Sequence, residues 1–198
     1  MFLATKNAGK REEFAALLAG SGIELVGFDA YRDPVEGDRS YFENAALKAR
    51  ALHEQLREHG IDANVLADDS GLEVRALDGA PGVVTAYYGG PGLSWAERRR
   101  ALLDALAVRD TTDRSARFVC ALHYIAADAR EIATFATVEG AIADADRGEL
   151  GFSFDPIFYY PPAHKTFSEM TAAEKNGVSH RAVALAALLG GLRAANAA

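Results

Sequence analysis

Residues 65–74, VLADDSGLEV, constrain the architecture of this chain more than any other stretch. An apolar run meets two adjacent carboxylates, Asp68 and Asp69, and a second apolar run follows Ser70 and Gly71. A carboxylate at the end of a buried strand is costly unless a cation or hydrogen-bond donors compensate it. The pattern predicts a strand, NVLADD, that ends at a site, a break at Ser70-Gly71, and a further strand, LEVRAL. A plain turn, with the Asp side chains bonding nearby amides, fits the same residues. Alternation along the strand turns only one of the two carboxylates toward the site.

The flanking elements are α/β in character. MFLAT reads as a strand, KNAGK as a turn, REEFAALLAG as a helix with Glu12 and Glu13 in its first turn, and IELVGF as a second strand. This is a βαβ-type start. Residues 29–40 read as a loop, and YFENAALKARALHEQLREHG as a helix with Ser40 as N-cap and Glu43 as its capping-box partner. DGAPGVVTAYYGGPG is a shaped loop and LSWAERRRALLDALAV a helix. SARFVCALHYIA and REIATFATVEGAIA pair as an antiparallel hairpin about Asp128. GELGFSFDPIFYYPPAH is a loop around a short strand, and the last helix starts behind Ser179. With no linker or repeat, residues 1–198 read as a single domain with a mixed sheet.

Composition narrows the function classes. The chain has 198 residues and a formal net charge of -7. Broad nucleic-acid binding, which needs a basic surface, is disfavoured. One cysteine, Cys120, excludes an internal disulfide and reads as a buried structural thiol. The N-terminus lacks a signal-peptide pattern and no stretch is long enough to span a bilayer, so a cytoplasmic protein is expected.

Four groups of residues carry chemistry. TKNAGK, between a strand and a helix start, offers backbone N–H groups, the helix dipole, Thr5, Lys6, Asn7, Ala8, Gly9 and Lys10 to a phosphate, without being a Walker A loop. A solvated turn with surface lysines fits equally well. In ADDSG, Asp68 or Asp69 suits a Mg²⁺ ligand and a proton acceptor, and Ser70 a phosphate donor. In GFSFDPIF, Phe152 and Phe154, on either side of Ser153, suit base stacking and Asp155 a ring N–H, though core aromatics with an Asp-Pro turn are the common case. In EKNGVSHR, Lys175, His180 and Arg181 cluster at a helix N-terminus, where cations are electrostatically awkward unless an anion or polar ligand edge joins them.

With these residues in view, the chain resembles the non-canonical purine nucleoside triphosphate pyrophosphatases, the XTP/dITP diphosphatase family. The blocks FLATKNAGKREEF, FENAALKAR, LADDSGLEVRALDGAPGV, GFSFDPIF and TFSEMTAAEKNGVSHRAVAL carry the resemblance in the family's order, and residues 93–140 add little. It implies an elongated mixed sheet flanked by helices, two lobes with a deep nucleotide-binding cleft, a homodimer, and Mg²⁺-dependent release of pyrophosphate from ITP, dITP or XTP. It implies Asp69 as proton acceptor and metal ligand, with Glu36 as second metal ligand and Glu43 as the alternative. It implies that residues 5–10 hold the triphosphate, with Lys10 stabilising charge on the departing pyrophosphate, that Ser70 contacts substrate, and that Phe152–Asp155, Lys175, His180 and Arg181 form the base pocket. Three departures stand out: Lys6 and the Ser153-Phe154 pair replace the family's usual Gly and Gly-Tyr, and PVEGDRSYFEN differs from its glutamate-rich loop. A catalytically inactive nucleotide sensor, or a pyrophosphatase for canonical triphosphates, are the competing readings.

Overall fold

The computed structural model describes residues 1–197. Its strands are β1 (Phe2–Leu3), β2 (Val65–Val74), β3 (Ser115–Ile125), β4 (Glu131–Ile142), β5 (Phe158–Tyr160) and β6 (Lys165–Thr166). Its helices are α1 (Ala8–Leu17), α2 (Tyr41–Glu58), α3 (Trp95–Ala107), α4 (Ala172–Asn176) and α5 (His180–Ala197). The strands form one mixed sheet in the order β1-β2-β3-β4-β5-β6. The chain divides into two compact units, and β2, β3 and β4 contribute residues to both. No described helix is long and apolar enough to cross a membrane.

The first unit holds Met1–Asp69, Cys120–Ala136 and the stretch from His180. Here β1 runs parallel to β2, with Phe2 opposite Val65 and Leu3 opposite Leu66. The segment read as a strand around Val26 makes only a single parallel bridge, to Phe2. Period-2 alternation sorts β2 cleanly. Val65 and Ala67 pack with Ala49, Leu52 and Leu56 of α2, while Leu66 packs with Phe14 of α1 and Leu185 and Leu188 of α5. A strand covered on both faces is the α/β layering, and it fixes which way residues 68 and 69 must point. Cys120 is fully buried in the second of these clusters, and burial pushes its thiol pKa up. Residues 126–130 join β3 to β4, with Ala126 N–H donating to Arg130 O at 2.8 Å; so short a connection makes the pair antiparallel.

The second unit holds Ser70–Val119 and Thr137–Ser179. There β4, β5 and β6 are antiparallel neighbours, and Phe118, Phe154, Phe158 and Phe167 build an aromatic core with Leu72, Leu102 and Ile157.

Three element expectations are corrected. The strand β2 continues through Ser70-Gly71 without a break. Beyond the two-residue β1, its amides find other acceptors: Leu72 N–H donates to Thr85 Oγ1 at 2.9 Å and Val74 N–H to Ala80 O at 3.1 Å. The first helix begins at Ala8, inside the expected turn, because Asn7 caps it by accepting from Lys10 N–H. Glu13 therefore lies beyond the first turn, and it is buried. The short α4, with Thr171 and Glu174 forming a capping box, has no counterpart among the elements expected from the sequence.

Candidate functional site

The geometry of the Asp68-Asp69 pair follows from the alternation of β2. Asp68 is on the Leu66 side, toward α1 and α5, and Asp69 is on the Ala67 side, toward α2. Their surroundings differ accordingly.

Asp68 is enclosed, its side chain 0% exposed. Its Oδ2 lies 3.0 Å from Lys10 Nζ and 3.4 Å from Arg181 Nε. Burial by itself would raise the Asp68 pKa, but the charges of Lys10, Arg181 and Lys48 outweigh it, and the net direction is strongly down. Arg181 also donates to Glu13 Oε2 at 3.2 Å, and both side chains are buried. Thus Arg181 is held as a counter-ion of Asp68 and Glu13. Its place in α5 explains this: Arg181 shares the inward stripe with Ala184, Leu185 and Leu188.

Asp69 faces a different set. Oδ1 accepts from Lys48 Nζ at 2.8 Å and Oδ2 from Asn44 Nδ2 at 3.3 Å. The same Lys48 ammonium reaches Glu36 Oε2 at 3.3 Å. Burial, the largest influence, raises the Asp69 pKa, and Lys48 opposes it without cancelling it. Lys48 itself stays charged, since Asp69, Asp68 and Glu36 together outweigh its own burial. Asn44 also fixes the loop that carries Glu36, accepting from Gly37 N–H at 2.8 Å and donating to Gly37 O at 2.9 Å. Glu43 is exposed and lies at the start of α2, where its backbone N–H donates to Ser40 Oγ at 3.2 Å.

Asn44 and Lys48 join the site without having been expected there. The signal is present in the sequence: Tyr41, Asn44, Ala45, Lys48, Ala49, Leu52, Gln55 and Leu56 are the buried positions of α2. Polar side chains within an otherwise apolar helical stripe must meet a polar partner.

The loop before α1 is only partly as expected. Thr5 and Asn7 brace the loop itself through their side-chain oxygens, which act as acceptors there and leave the Thr5 hydroxyl hydrogen and the Asn7 Nδ2 group as donors. Thr5 Oγ1 accepts from Asn7 N–H at 3.2 Å, and Asn7 Oδ1 accepts from Lys10 N–H at 3.1 Å. The amides of Ala8 and Gly9 belong to the first helical turn, where N–H groups lack acceptors within the helix. Lys6 is largely exposed and pairs with Asp33 at 3.0 Å.

In the second unit, Ser70 continues β2 and is half-buried. Phe152–Asp155 form a tight turn. Asp155 N–H donates to Phe152 O at 3.1 Å, and Asp155 Oδ2 accepts from Phe152 N–H at 2.8 Å and from Lys175 Nζ at 2.7 Å. Lys175 Nζ is also 4.8 Å from the Phe152 ring centroid. Gly151 is required here: its φ is +75° and a Cβ would sit 2.3 Å from Asp155 Oδ2. Phe154 corrects an expectation. It is 0% exposed, edge-on to Trp95 at 5.7 Å, and so has no face to offer a base. Phe152 is half-buried. In the first unit, His180, at the first position of α5, is 1% exposed.

The sequence profile of the Ham1 family matches residues 1–190. A dITP/XTP pyrophosphatase of Geobacillus kaustophilus is 46% identical over 190 residues, covering 94% of this chain and 90% of that one. One from Thermus thermophilus is 45% identical over 190 residues, covering 94% and 88%. Among solved structures, a HAM1 protein from Coxiella burnetii superposes with a TM-score of 0.82 at 36% identity, covering 97% of each chain. The match runs through the carboxylate pair, the α2 stripe and the start of α5 alike, and the chain belongs to the Ham1 family.

Proposed function

We propose that this chain hydrolyses non-canonical purine nucleoside triphosphates, ITP, dITP and XTP, to the monophosphate and pyrophosphate, and so clears deaminated purines from the nucleotide pool. It does so as a Mg²⁺-dependent homodimer in the cytoplasm. The observation that carries the reading is the divergence of Asp68 and Asp69. Two adjacent carboxylates whose environments push their proton affinities apart have separate acid–base assignments. Asp68 is a fixed charge that anchors Lys10 and Arg181. Asp69, with its proton affinity raised by burial, suits a base that accepts a proton from an attacking water.

The donor set fits a hard divalent cation. Glu36 and Asp69 already converge on one positive point, the Lys48 ammonium. Mg²⁺ takes one or two carboxylates and completes its shell with water and phosphate oxygens, so Asp69 and Glu36 would hold it. When bound, the ion neutralises phosphate charge and helps orient the water. Lys48 and Asn44 hold the Asp69 carboxylate in a fixed orientation. The first turn of α1, with Lys10 and the exposed Lys6, binds the polyphosphate and stabilises the charge developing on pyrophosphate. Ser70 contributes a hydroxyl to the substrate.

Phe152 stacks on the purine, and Lys175, braced by Asp155, presents N–H donors to its edge, with His180 as a further donor. A 6-oxo group accepts those bonds; a 6-amino group leaves buried donors unpaired, which discriminates strongly. The test is pyrophosphate release from ITP, XTP, dITP, GTP and ATP with Mg²⁺ and after chelation, in wild type and Asp69→Asn. The expected result is Mg²⁺-dependent preference for ITP and XTP, and a loss of about 100-fold or more in kcat for Asp69→Asn. Tight ITP binding without turnover in the wild type would instead identify a sensor.

A further inference from the structure

Ser153 occupies a backbone conformation that glycine normally fills. Its φ is +61°, in the left-handed region, where a side chain is disfavoured unless the surroundings hold it. The surroundings are specific. Arg99, on α3, donates through Nη1 to Ser153 O at 2.8 Å. The guanidinium is itself braced by Asp146: Nε lies 3.0 and 2.9 Å from the two carboxylate oxygens, and Nη2 is 2.7 Å from Oδ2. One helical turn earlier on the same face of α3, Trp95 takes the ring of Phe154. Two residues four apart on one helix thus grip two consecutive residues of the turn. The two flanking residues of the turn, Phe152 and Asp155, hold Lys175.

We propose that Arg99 is a positioning residue for the purine side of the site: braced by Asp146, it holds the peptide at Ser153 in its left-handed state and so sets the placement of Phe152 and Lys175. This rests on the functional reading above, in which Phe152 and Lys175 meet the base. The planar fork meets both Asp146 carboxylate oxygens and the Ser153 carbonyl from fixed directions, a geometry that a lysine ammonium does not reproduce. Glycine at position 153 adopts the same φ without help, so it relaxes the demand on Arg99.

The experiment is steady-state turnover of ITP and ATP, with thermal melting in parallel, by wild type, Arg99→Ala, Arg99→Lys, Ser153→Gly and the double variant Arg99→Ala/Ser153→Gly. Arg99→Ala is expected to raise KM for ITP about tenfold with kcat changed less than about twofold, and to narrow the preference for ITP over ATP. Arg99→Lys behaves like Arg99→Ala. Measured against Ser153→Gly alone, the double variant loses at most about half as much in log KM as Arg99→Ala loses against wild type, a coupling that independent sites do not show. Where Arg99→Ala fails to fold, Asp146→Asn, at a half-exposed carboxylate, removes the brace and is expected to raise KM in the same direction. An unchanged KM in a folded Arg99→Ala or Asp146→Asn protein overturns the proposal and leaves the functional reading standing. Additive effects of Arg99→Ala and Ser153→Gly also overturn it. Absence of ITP turnover in the wild type overturns both.

Discussion

Replacing Arg181 with methionine separates a structural counter-ion from a base reader. The guanidinium contacts Glu13 Oε2 at 3.2 Å and Asp68 Oδ2 at 3.4 Å, all within a buried cluster. At an effective dielectric of about 20, each contact is worth roughly 5 kcal/mol before desolvation is counted. Desolvation offsets most of that, but removing one partner leaves the carboxylates buried, and such changes cost about 3–5 kcal/mol. Asp68 keeps Lys10 at 3.0 Å, so the low end, about 3 kcal/mol, is the better expectation. For a chain of this size that is a fall in Tm of roughly 6–12 °C.

The pH dependence adds a signature. In the wild type, Asp68 is held below its unfolded pKa. It therefore contributes stability that is present above the unfolded value, near 3.9 in model peptides, and is lost as pH falls through the lower folded value. In Arg181→Met one of the cations opposing burial is gone, and the folded Asp68 carboxylate holds a proton more readily. The penalty should be smaller at pH 5 than at pH 8. Adding Glu13→Gln should return about 1–2 kcal/mol by removing one buried charge. Urea unfolding followed by circular dichroism at both pH values measures all of this. A loss under about 1 kcal/mol, equal at pH 5 and pH 8 and accompanied by a large rise in KM for ITP, would refute the counter-ion argument.

Other consequences follow from the second unit and the core. Phe154→Ala should lower stability by about 3–5 kcal/mol, whereas Phe152→Ala should chiefly raise KM for purine substrates, by an amount worth about 1–3 kcal/mol of lost stacking; calorimetry and kinetics on the two variants check the contrast. Gly151→Ala places a Cβ 2.3 Å from Asp155 Oδ2, so it should raise KM and lower Tm together. Cys120, fully buried with its thiol pKa pushed up, should react with a thiol reagent only after unfolding, and rapid labelling of the native protein would contradict its placement.

Much of the fold was legible because local rules agreed with tertiary demand. The α2 helix starts at its Ser40 cap, and the β3–β4 hairpin turns about Asp128. The segment around Val26 reads as a strand but forms a single bridge, because β1 beside it pairs over only two residues. Ser70-Gly71 reads as a break but lies inside β2, since Thr85 and Ala80, distant in sequence, supply acceptors for the amides that follow.

By itself, the sequence determined that two carboxylates end an apolar run, that lysines flank the start of the first helix, and that Ser40 caps the second. These are properties of spacing, and spacing is local. Only the tertiary structure decided which cation meets which carboxylate. Asp68 and Asp69 are chemically identical neighbours, and they differ because the strand's pleat sends one toward Lys10 and Arg181 and the other toward Lys48 and Asn44. Electrostatic environment is set by groups brought together through space, so the opposite directions in which the two carboxylates' proton affinities move belong to the fold.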